Sequence, residues 1–527
     1  MRRRRCTFFG TLSYHRRCSE RWQLGTSRLR GRAPEMSQER LVLHETPLFS
    51  SLLVHSERCL HRFHIPGHKG GRGVDPVFRS FIGENALKID LINLEPLDDL
   101  HRPRGVIRKA QELAAAAFGA DYSFFSVQGT STAIMAMIMA VCREGEKILL
   151  PRNVHKSVMS ALLLTGAIPV FLTPEIDEDL GVAHCLTLDV VRRALDAHPD
   201  ARALLVVHPT YYGMCGDLSG IVELAHARGI PVLVDEAHGG HFYFHDRLPL
   251  AAMQAGADAA AVSMHKLCGS LTQTSILNIQ GSRVSPERVQ AMLSVLTTTS
   301  TSYLLLSSLD AARRNMVIDG ERLLSRAMQL ADGVRAAVRE LPYIRCVGSE
   351  VMQRYSSVVD MDPTKLCFSV RRLGVTGRAV ERTLRERFGI EVEMSDLFNV
   401  LCLLTVGDEA EDAEALVSAL TAIAEEAGDL GAGGLVRAGE IAPIYEHELV
   451  LPPRTAFWGD VERVPLEQAV HRVAAEFVMV YPPGIPLLVP GERITPTDVG
   501  YIRQHQAWGY PIQGPEDETI ATIRVVR

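Results

Sequence analysis

At 527 residues and 58.0 kDa the chain is too long for one ordinary domain and suggests roughly three. With 46% hydrophobic and 22% charged residues it holds ample material for a core and carries no overall mark of disorder. The net charge is -6, yet residues 1–35 carry ten arginines against two glutamates, so the rest is acidic, which argues against a nucleic-acid-binding body. Ten cysteines without a C-x-x-C pair point to neither a zinc ribbon nor a disulfide framework and suit a reducing, cytoplasmic setting. The most apolar runs, 133–142 and 160–172, are too short or too interrupted to span a bilayer.

The arginine-rich segment 1–35 has no helical apolar stripe and lacks the apolar stretch of a secretory signal. It reads as a disordered extension upstream of a start at Met36, in preference to an organellar transit peptide. Residues 103–118 follow with apolar positions at three- and four-residue intervals, the period of an amphipathic helix. Beyond it, short apolar runs at 123–126, 147–150, 169–172, 203–207, 232–234, 259–263 and 275–279 alternate with helical stretches at 131–142, 156–164, 188–197 and 219–228. Strands apolar on both faces, alternating with helices, predict an α/β domain with a mainly parallel sheet, spanning 36–319 with the N-terminal segment. A second, smaller α/β unit spans 320–430, with helices at 320–340, 378–388 and 409–426 and a strand at 400–404. The glycine-rich 428–434 marks a linker to a proline-rich third region, 431–527.

In open parallel sheets ligands gather beyond the carboxyl ends of the strands, which directs attention to polar residues just after apolar runs. The run 232–234 ends on Asp235, and the run 259–263 leads to Lys266. A lysine that condenses with an aldehyde cofactor needs an acidic partner to keep the cofactor's pyridine nitrogen protonated, so the pair fits pyridoxal 5'-phosphate. Taken singly, Lys266 also reads as a strand-end lysine and Asp235 as a turn or cap residue. Gly129, Thr130 and Ser131 open a helix directly after a strand, where backbone N–H groups and hydroxyls welcome a phosphate, or form an ordinary N-cap. Ser263 and His265 flank Lys266 and could donate to the same phosphate. His155, at another strand-to-helix turn, could stack on a flat ring or be a surface histidine. His238, His241 and His245 lack the carboxylate or cysteine pattern of a metal site, and no metal is expected.

These residues lie in segments that resemble the ornithine/lysine/arginine decarboxylases, fold type I pyridoxal-phosphate enzymes of the aspartate-aminotransferase fold. The segments are Phe63-His-Ile-Pro-Gly-His-Lys-Gly70, Leu97-Asp-Asp-Leu-His101, Pro151-Arg-Asn-Val-His-Lys-Ser157, Pro209-Thr-Tyr-Tyr-Gly213, Asp235-Glu-Ala-His-Gly239, Ser263-Met-His-Lys266 and Gly269-Ser-Leu-Thr-Gln273. Glu393-Met-Ser-Asp396 and Tyr481-Pro-Pro-Gly-Ile-Pro486 look like the family's C-terminal signatures. The resemblance implies that Lys266 binds the cofactor's aldehyde, Asp235 pairs with its ring nitrogen, His155 stacks on the ring and His238 lies beside it. It also implies that Thr130, Ser131, Ser263 and His265 hold the phosphate, in a homodimer or larger homo-oligomer. With no room for an N-terminal wing domain, the chain looks like the short form, associated with polyamine supply.

Decarboxylation of a basic amino acid is the activity implied, with arginine first, then lysine or ornithine. Carboxylates are the expected readers of the substrate's distal cation, and Glu393 and Asp396 are the candidates. The sequence departs from the family pattern at Thr301, where proline is expected, at Gln128, which replaces a common asparagine, and at Cys268. An aminotransferase or β-lyase on the same fold, or a decayed regulatory homologue, are the competing readings.

Overall fold

The computed structural model describes residues 43–58, 61–430, 447–480 and 485–527, and His44–Arg527 forms one compact unit. The arginine-rich leader, Met36, residues 431–434 of the linker and residues 481–484 of the C-terminal signature lie outside the described residues.

Seven strands build the central sheet: β1 (Tyr122–Ser126), β2 (Lys147–Pro151), β3 (Ile168–Leu172), β4 (Ala203–Val207), β5 (Val232–Asp235), β6 (Ala259–Ser263) and β7 (Ser275–Ile279). They pair in the order β1-β7-β6-β5-β4-β2-β3, parallel throughout except for β7, which is antiparallel to both neighbours. Every residue of β5, β6 and β7 is buried, because helices cover both faces. Alternate side chains enter different layers, as the pleat requires. Ala203, Leu205, Leu233, Ala259 and Ala261 pack on one side, and Leu204, Val206, Val232, Val234 and Ala260 on the other.

Helix α1 (Gly129–Val141) lies in the first of these layers and is apolar nearly all round, so little of it reaches solvent. It starts two residues before the expected position, at Gly129, whose φ of +78° is the left-handed conformation that glycine adopts without a Cβ clash. Helix α2 (Lys156–Thr165) begins directly after His155.

The expected helix at 320–340 is the second half of a continuous 37-residue helix, α3 (Tyr303–Arg339). The domain boundary placed at 319/320 therefore falls inside a helix. Gly320 is there for contact rather than for a break, since a Cβ at that position would sit 3.1 Å from the Phe244 Cβ. Tyr303, Leu306, Leu309 and Met316 of α3 belong to a core beside the large sheet, while Ala331, Val334 and Val338 belong to the core of a small sheet. That small sheet comprises β8 (Arg345–Cys346), β9 (Lys365–Ser369), β10 (Met394–Ser395) and β11 (Asn399–Leu403), all antiparallel, in the order β8-β9-β11-β10. Among the described residues no helix is long and apolar enough to cross a membrane.

The C-terminal region has its own apolar core, around Leu466, Val478, Leu488, Ile502, Ile523 and Val525. One of its ties to the large sheet is a buried ion pair. The Arg152 guanidinium, after β2, donates from both terminal nitrogens to Glu492, one bond measuring 2.9 Å, and also to the Leu487 carbonyl at 2.8 Å. Both side chains are almost wholly enclosed, so neither charge survives alone without a large desolvation cost. Glu492→Ala is expected to lower stability by about 3–5 kcal/mol. The double variant Arg152→Met/Glu492→Leu recovers much of that loss, because it leaves no unpaired charge; urea titrations of wild type and the two variants check both statements.

Candidate active site

The carboxyl ends of β1, β2, β4, β5 and β6 converge on one edge of the sheet, where topology delivers Gly129–Ser131, His155, Tyr211, Asp235–His238 and Ser263–Lys266. Lys266 sits in a single helical turn after β6, and its Nζ lies 2.8 Å from Nε2 of His238. Burial lowers the Lys266 amine, with Asp235 and then Glu393 opposing that shift. The carboxyl of Asp235 is raised by burial, against the opposing pull of Lys266 and of the Ala237 N–H. Among the described residues its one hydrogen bond is that N–H, to Oδ1 at 3.2 Å. A carboxylate 6% exposed with so few donors has acceptor capacity to spare for a cationic N–H.

At the other end of the site Thr130, the second residue of α1, hydrogen-bonds the hydroxyls of Ser263 and Ser275, the latter at 3.0 Å. Ser275 was not among the residues singled out from sequence. It arrives because β7 runs backwards, so its first residue pairs with Ser263, the last of β6. His265 turns Nδ1 to the Thr274 carbonyl at 2.9 Å, which makes Nδ1 the donor, and among the described residues Nε2 has no hydrogen-bond partner and could face a ligand. Ser131 stands half-buried in the first turn of α1, where backbone N–H groups lack helical partners. Hydroxyls, a helix start and a glycine with open space where its Cβ would be make a setting suited to a phosphate.

His155 caps α2, its Nδ1 accepting the Ser157 N–H at 3.2 Å. Crowding by surrounding protein, then the charges of Lys266 and Lys156, push its pKa down to about 4. The residue is nevertheless exposed, so solvent screens the Lys266 and Lys156 charges that act on it.

His238 has a second nitrogen neighbour. Nζ of Lys365, the first residue of β9, is 2.9 Å from Nδ1, and the same Nζ donates to the Tyr211 carbonyl at 3.1 Å. Burial followed by the charges of Lys266 and Lys365 holds His238 well below its ordinary pKa, so the ring is neutral. Burial also brings Lys365 down to about 8, with Asp362 opposing. Burial would raise Asp362, but His241 and Lys365 beside it and the Thr364 hydroxyl hold it down at about 2. Tyr211 packs its ring against His238 at 4.4 Å between centroids and donates its hydroxyl to Glu393. No local pattern in the sequence marks Lys365, and Tyr211 was visible only within a family segment.

Glu393 therefore lies at the site, exposed and within the field of both lysines. Asp396 is differently placed. It accepts from the Tyr212 hydroxyl at 2.5 Å, from the backbone N–H groups of Phe398 and Asn399, and from the Asn399 side chain, so its lone pairs are committed to the β10–β11 turn. The three histidines considered for metal point to three partners: His238 to the lysines, His241 to Asp362 at 3.2 Å, and His245 to Ser325 at 2.9 Å. Among the described residues no group of three His, Cys, Asp or Glu side chains is arranged to hold a metal. Of the departures, Cys268 is a buried core thiol, and Gln128 accepts the Thr298 N–H at 2.9 Å, tying the 297–303 loop to the site. Thr301 is 3% exposed in that loop.

A lysine amine beside a buried carboxylate and a hydroxyl-lined helix start, at the carboxyl edge of a mainly parallel sheet, defines a fold type I α/β enzyme. Family models agree with this class: Orn/Lys/Arg decarboxylase, major domain, matches residues 46–412, and the family's C-terminal domain matches 448–520. The chain is 55% identical over 492 residues to a Bacillus subtilis arginine decarboxylase, covering 92% of this chain and 98% of that one. It is 26% identical over 563 residues to a lysine decarboxylase of Pseudomonas aeruginosa, covering 85% of this chain and 74% of that one. Among solved structures, a Pseudomonas aeruginosa lysine decarboxylase superposes with a TM-score of 0.79 at 24% identity, over 93% of this chain and 81% of that one. The Francisella novicida lysine decarboxylase gives the same TM-score, 0.79, at 22% identity, over 92% and 81%. The protein belongs to the Orn/Lys/Arg decarboxylase family and is an amino-acid decarboxylase.

One consequence of this packing is pH-dependent stability at Glu236, next to Asp235 but on the opposite face of the chain. It accepts the Tyr243 hydroxyl at 2.6 Å and the Ala252 N–H at 2.7 Å, and burial raises its pKa to about 8. Between the ordinary carboxyl value and about 8 the folded protein keeps a proton that the unfolded chain releases, so stability falls as pH rises through that window. Glu236→Gln, which mimics the protonated acid, is expected to flatten that fall, by at most about 1.4 kcal/mol per pH unit, in thermal melts between pH 5 and 8.

Proposed function

We propose that this chain converts L-arginine to agmatine and CO₂ with pyridoxal 5'-phosphate as its cofactor, in service of polyamine synthesis. The observation that carries the reading is the Lys266 amine, held 2.8 Å from a neutral His238 and beside a buried, under-bonded Asp235. Lys266 would hold the cofactor's aldehyde, Asp235 its ring nitrogen, and Thr130, Ser131, Ser263, Ser275 and His265 its phosphate, with His155 against the ring. When bound, the cofactor supplies an electrophilic aldehyde and a ring that takes up the electron pair left by departing CO₂.

The chain's own groups prepare the rest. Burial favours the neutral, nucleophilic form of Lys266, while Lys266 and the Ala237 N–H oppose the rise that burial imposes on Asp235, whose spare acceptor oxygen would meet a protonated ring nitrogen. One hydrogen bond joins Lys266 to His238, so a proton can pass between them and either can deliver it to the substrate carbon. Glu393 is the reader of the distal guanidinium; Asp396, with its acceptors committed, serves to hold the turn that carries Glu393.

Arginine is favoured over lysine and ornithine because relatives 54–55% identical over most of the chain are arginine decarboxylases, whereas the lysine decarboxylases match at 25–26%. Self-association is supported by Val77 and Phe81, four residues apart on one short helix and 78% and 87% exposed. A sedimentation experiment that finds only monomers at micromolar concentration argues against an oligomer. A cytoplasmic location is in keeping with the seven cysteines of the described residues, all free thiols.

The decisive assay incubates the purified protein with arginine, lysine and ornithine and scores CO₂ against keto acid. Agmatine is expected as the main product, with Lys266→Ala at background and Glu393→Gln raising KM for arginine more than it lowers kcat. Keto acid formation, or turnover unaffected by loss of Lys266, refutes the proposal.

A further inference from the structure

The Lys365–His238–Lys266 line contains a residue to which the reaction assigns no part. Lys365 comes from the small sheet, is only 2% exposed, and has its Nζ fixed by two contacts, the Tyr211 carbonyl and the His238 ring. Filling space calls for an apolar side chain; a buried amine aimed at an imidazole calls for another explanation.

We propose that Lys365 is a positioning residue for His238: its ammonium donates to Nδ1 and so fixes the imidazole proton on Nε2, the nitrogen facing Lys266. The inference rests on the reading of Lys266 as the cofactor-binding lysine. An ammonium can only donate, so Nδ1 must accept, and a neutral ring then carries its proton on Nε2. Lys266 Nζ, 2.8 Å away, can receive that N–H only as an uncharged amine, which is the nucleophilic form. Without the ammonium the ring is free to place its proton on Nδ1. Nε2 then becomes an acceptor that favours a charged, unreactive Lys266.

The groups around Lys365 support a charged amine at neutral pH. Asp362 and Glu393 favour its charge, while burial and Lys266 oppose it, and the balance lies at about 8; the neighbouring Cys215 thiol, raised by burial, is uncharged in this range. Asp362 is itself placed by His241 and by the Thr364 N–H and hydroxyl, the N–H at 2.9 Å, and is ionised throughout the working range. The lock therefore holds below about pH 8 and opens above it, which gives activity an alkaline limb at that position.

The test uses holoenzyme carrying Lys365→Met, which removes every donor, Lys365→Gln, which keeps an N–H donor without charge, and Lys365→Arg, charged at every pH. Met is expected to lower kcat about 100-fold with little change in KM, and Gln to recover about ten-fold of that loss. Arg should keep activity above pH 8, where wild type has lost it. A second readout is the pH titration of the visible absorbance of the cofactor bound through Lys266, whose midpoint moves up by about one unit in Met, because a neighbouring positive charge is gone. If Met folds poorly, Gln against Arg supplies the same contrast in pH profile and titration. Equal behaviour of the neutral and charged variants, with midpoint and limb unmoved, overturns the inference. Borohydride trapping of wild type separates the two levels: label on another lysine removes the cofactor reading itself, whereas label on Lys266 with inert Lys365 variants removes only this inference.

Discussion

Two lysine amines stand on either side of one imidazole, with 2.8 Å and 2.9 Å between nitrogens, around a buried His238 and Lys365. Three positive charges in that line would repel strongly at low dielectric, so protons must be shared out unequally. Burial and mutual repulsion keep His238 neutral, and carboxylates beside the ends, Asp235 and Glu393 near Lys266 and Asp362 near Lys365, decide where charge settles. The rest of the fold can be understood as the means of bringing these groups together from β5, β6 and β9.

Two features of topology achieve this. The antiparallel β7 places a serine at the edge where parallel strands would present only their ends, completing the hydroxyl cluster around Thr130. Helix α3, continuous across the expected boundary, contributes to the cores of both the large and the small sheet, and so fixes the distance at which β9 presents Lys365. A continuous helix resists relative movement better than a loop at the same place, because bending it breaks backbone hydrogen bonds. At its middle Gly320 leaves room for Phe244, whose Cβ a side chain at that position would crowd.

The large sheet was legible in the sequence because its strands are short apolar runs between amphipathic helices; 203–207, 259–263 and 275–279 coincide with the observed strands. Polar residues just beyond these runs drew attention to Lys266 and Asp235 for the same reason. What remained hidden depends on contacts distant in sequence. Ser275 required the direction of β7, and Lys365 required the packing of one sheet on another, 127 residues from His238. The helix expected to start at 320 starts at Tyr303 instead, because its first half packs in one core and its second in another and so changes composition without a break. In the C-terminal region the strand Val461–Pro465 escaped because charged residues and a proline break up its apolar pattern.

If Glu393 reads the distal cation as proposed, substrate choice turns on how it meets a guanidinium. A planar fork is best received by two carboxylate oxygens, but Oε1 already accepts the Tyr211 hydroxyl, so the fork must share that oxygen. Glu393 is also exposed, where solvent screens the attraction. A single screened carboxylate attracts ammonium and guanidinium alike, and a methylene of chain length adds only about 1–3 kcal/mol of discrimination. Selection for arginine must therefore come from shape as well as charge, with the Tyr211 ring a flat surface on which a guanidinium can lie and a compact ammonium gains less.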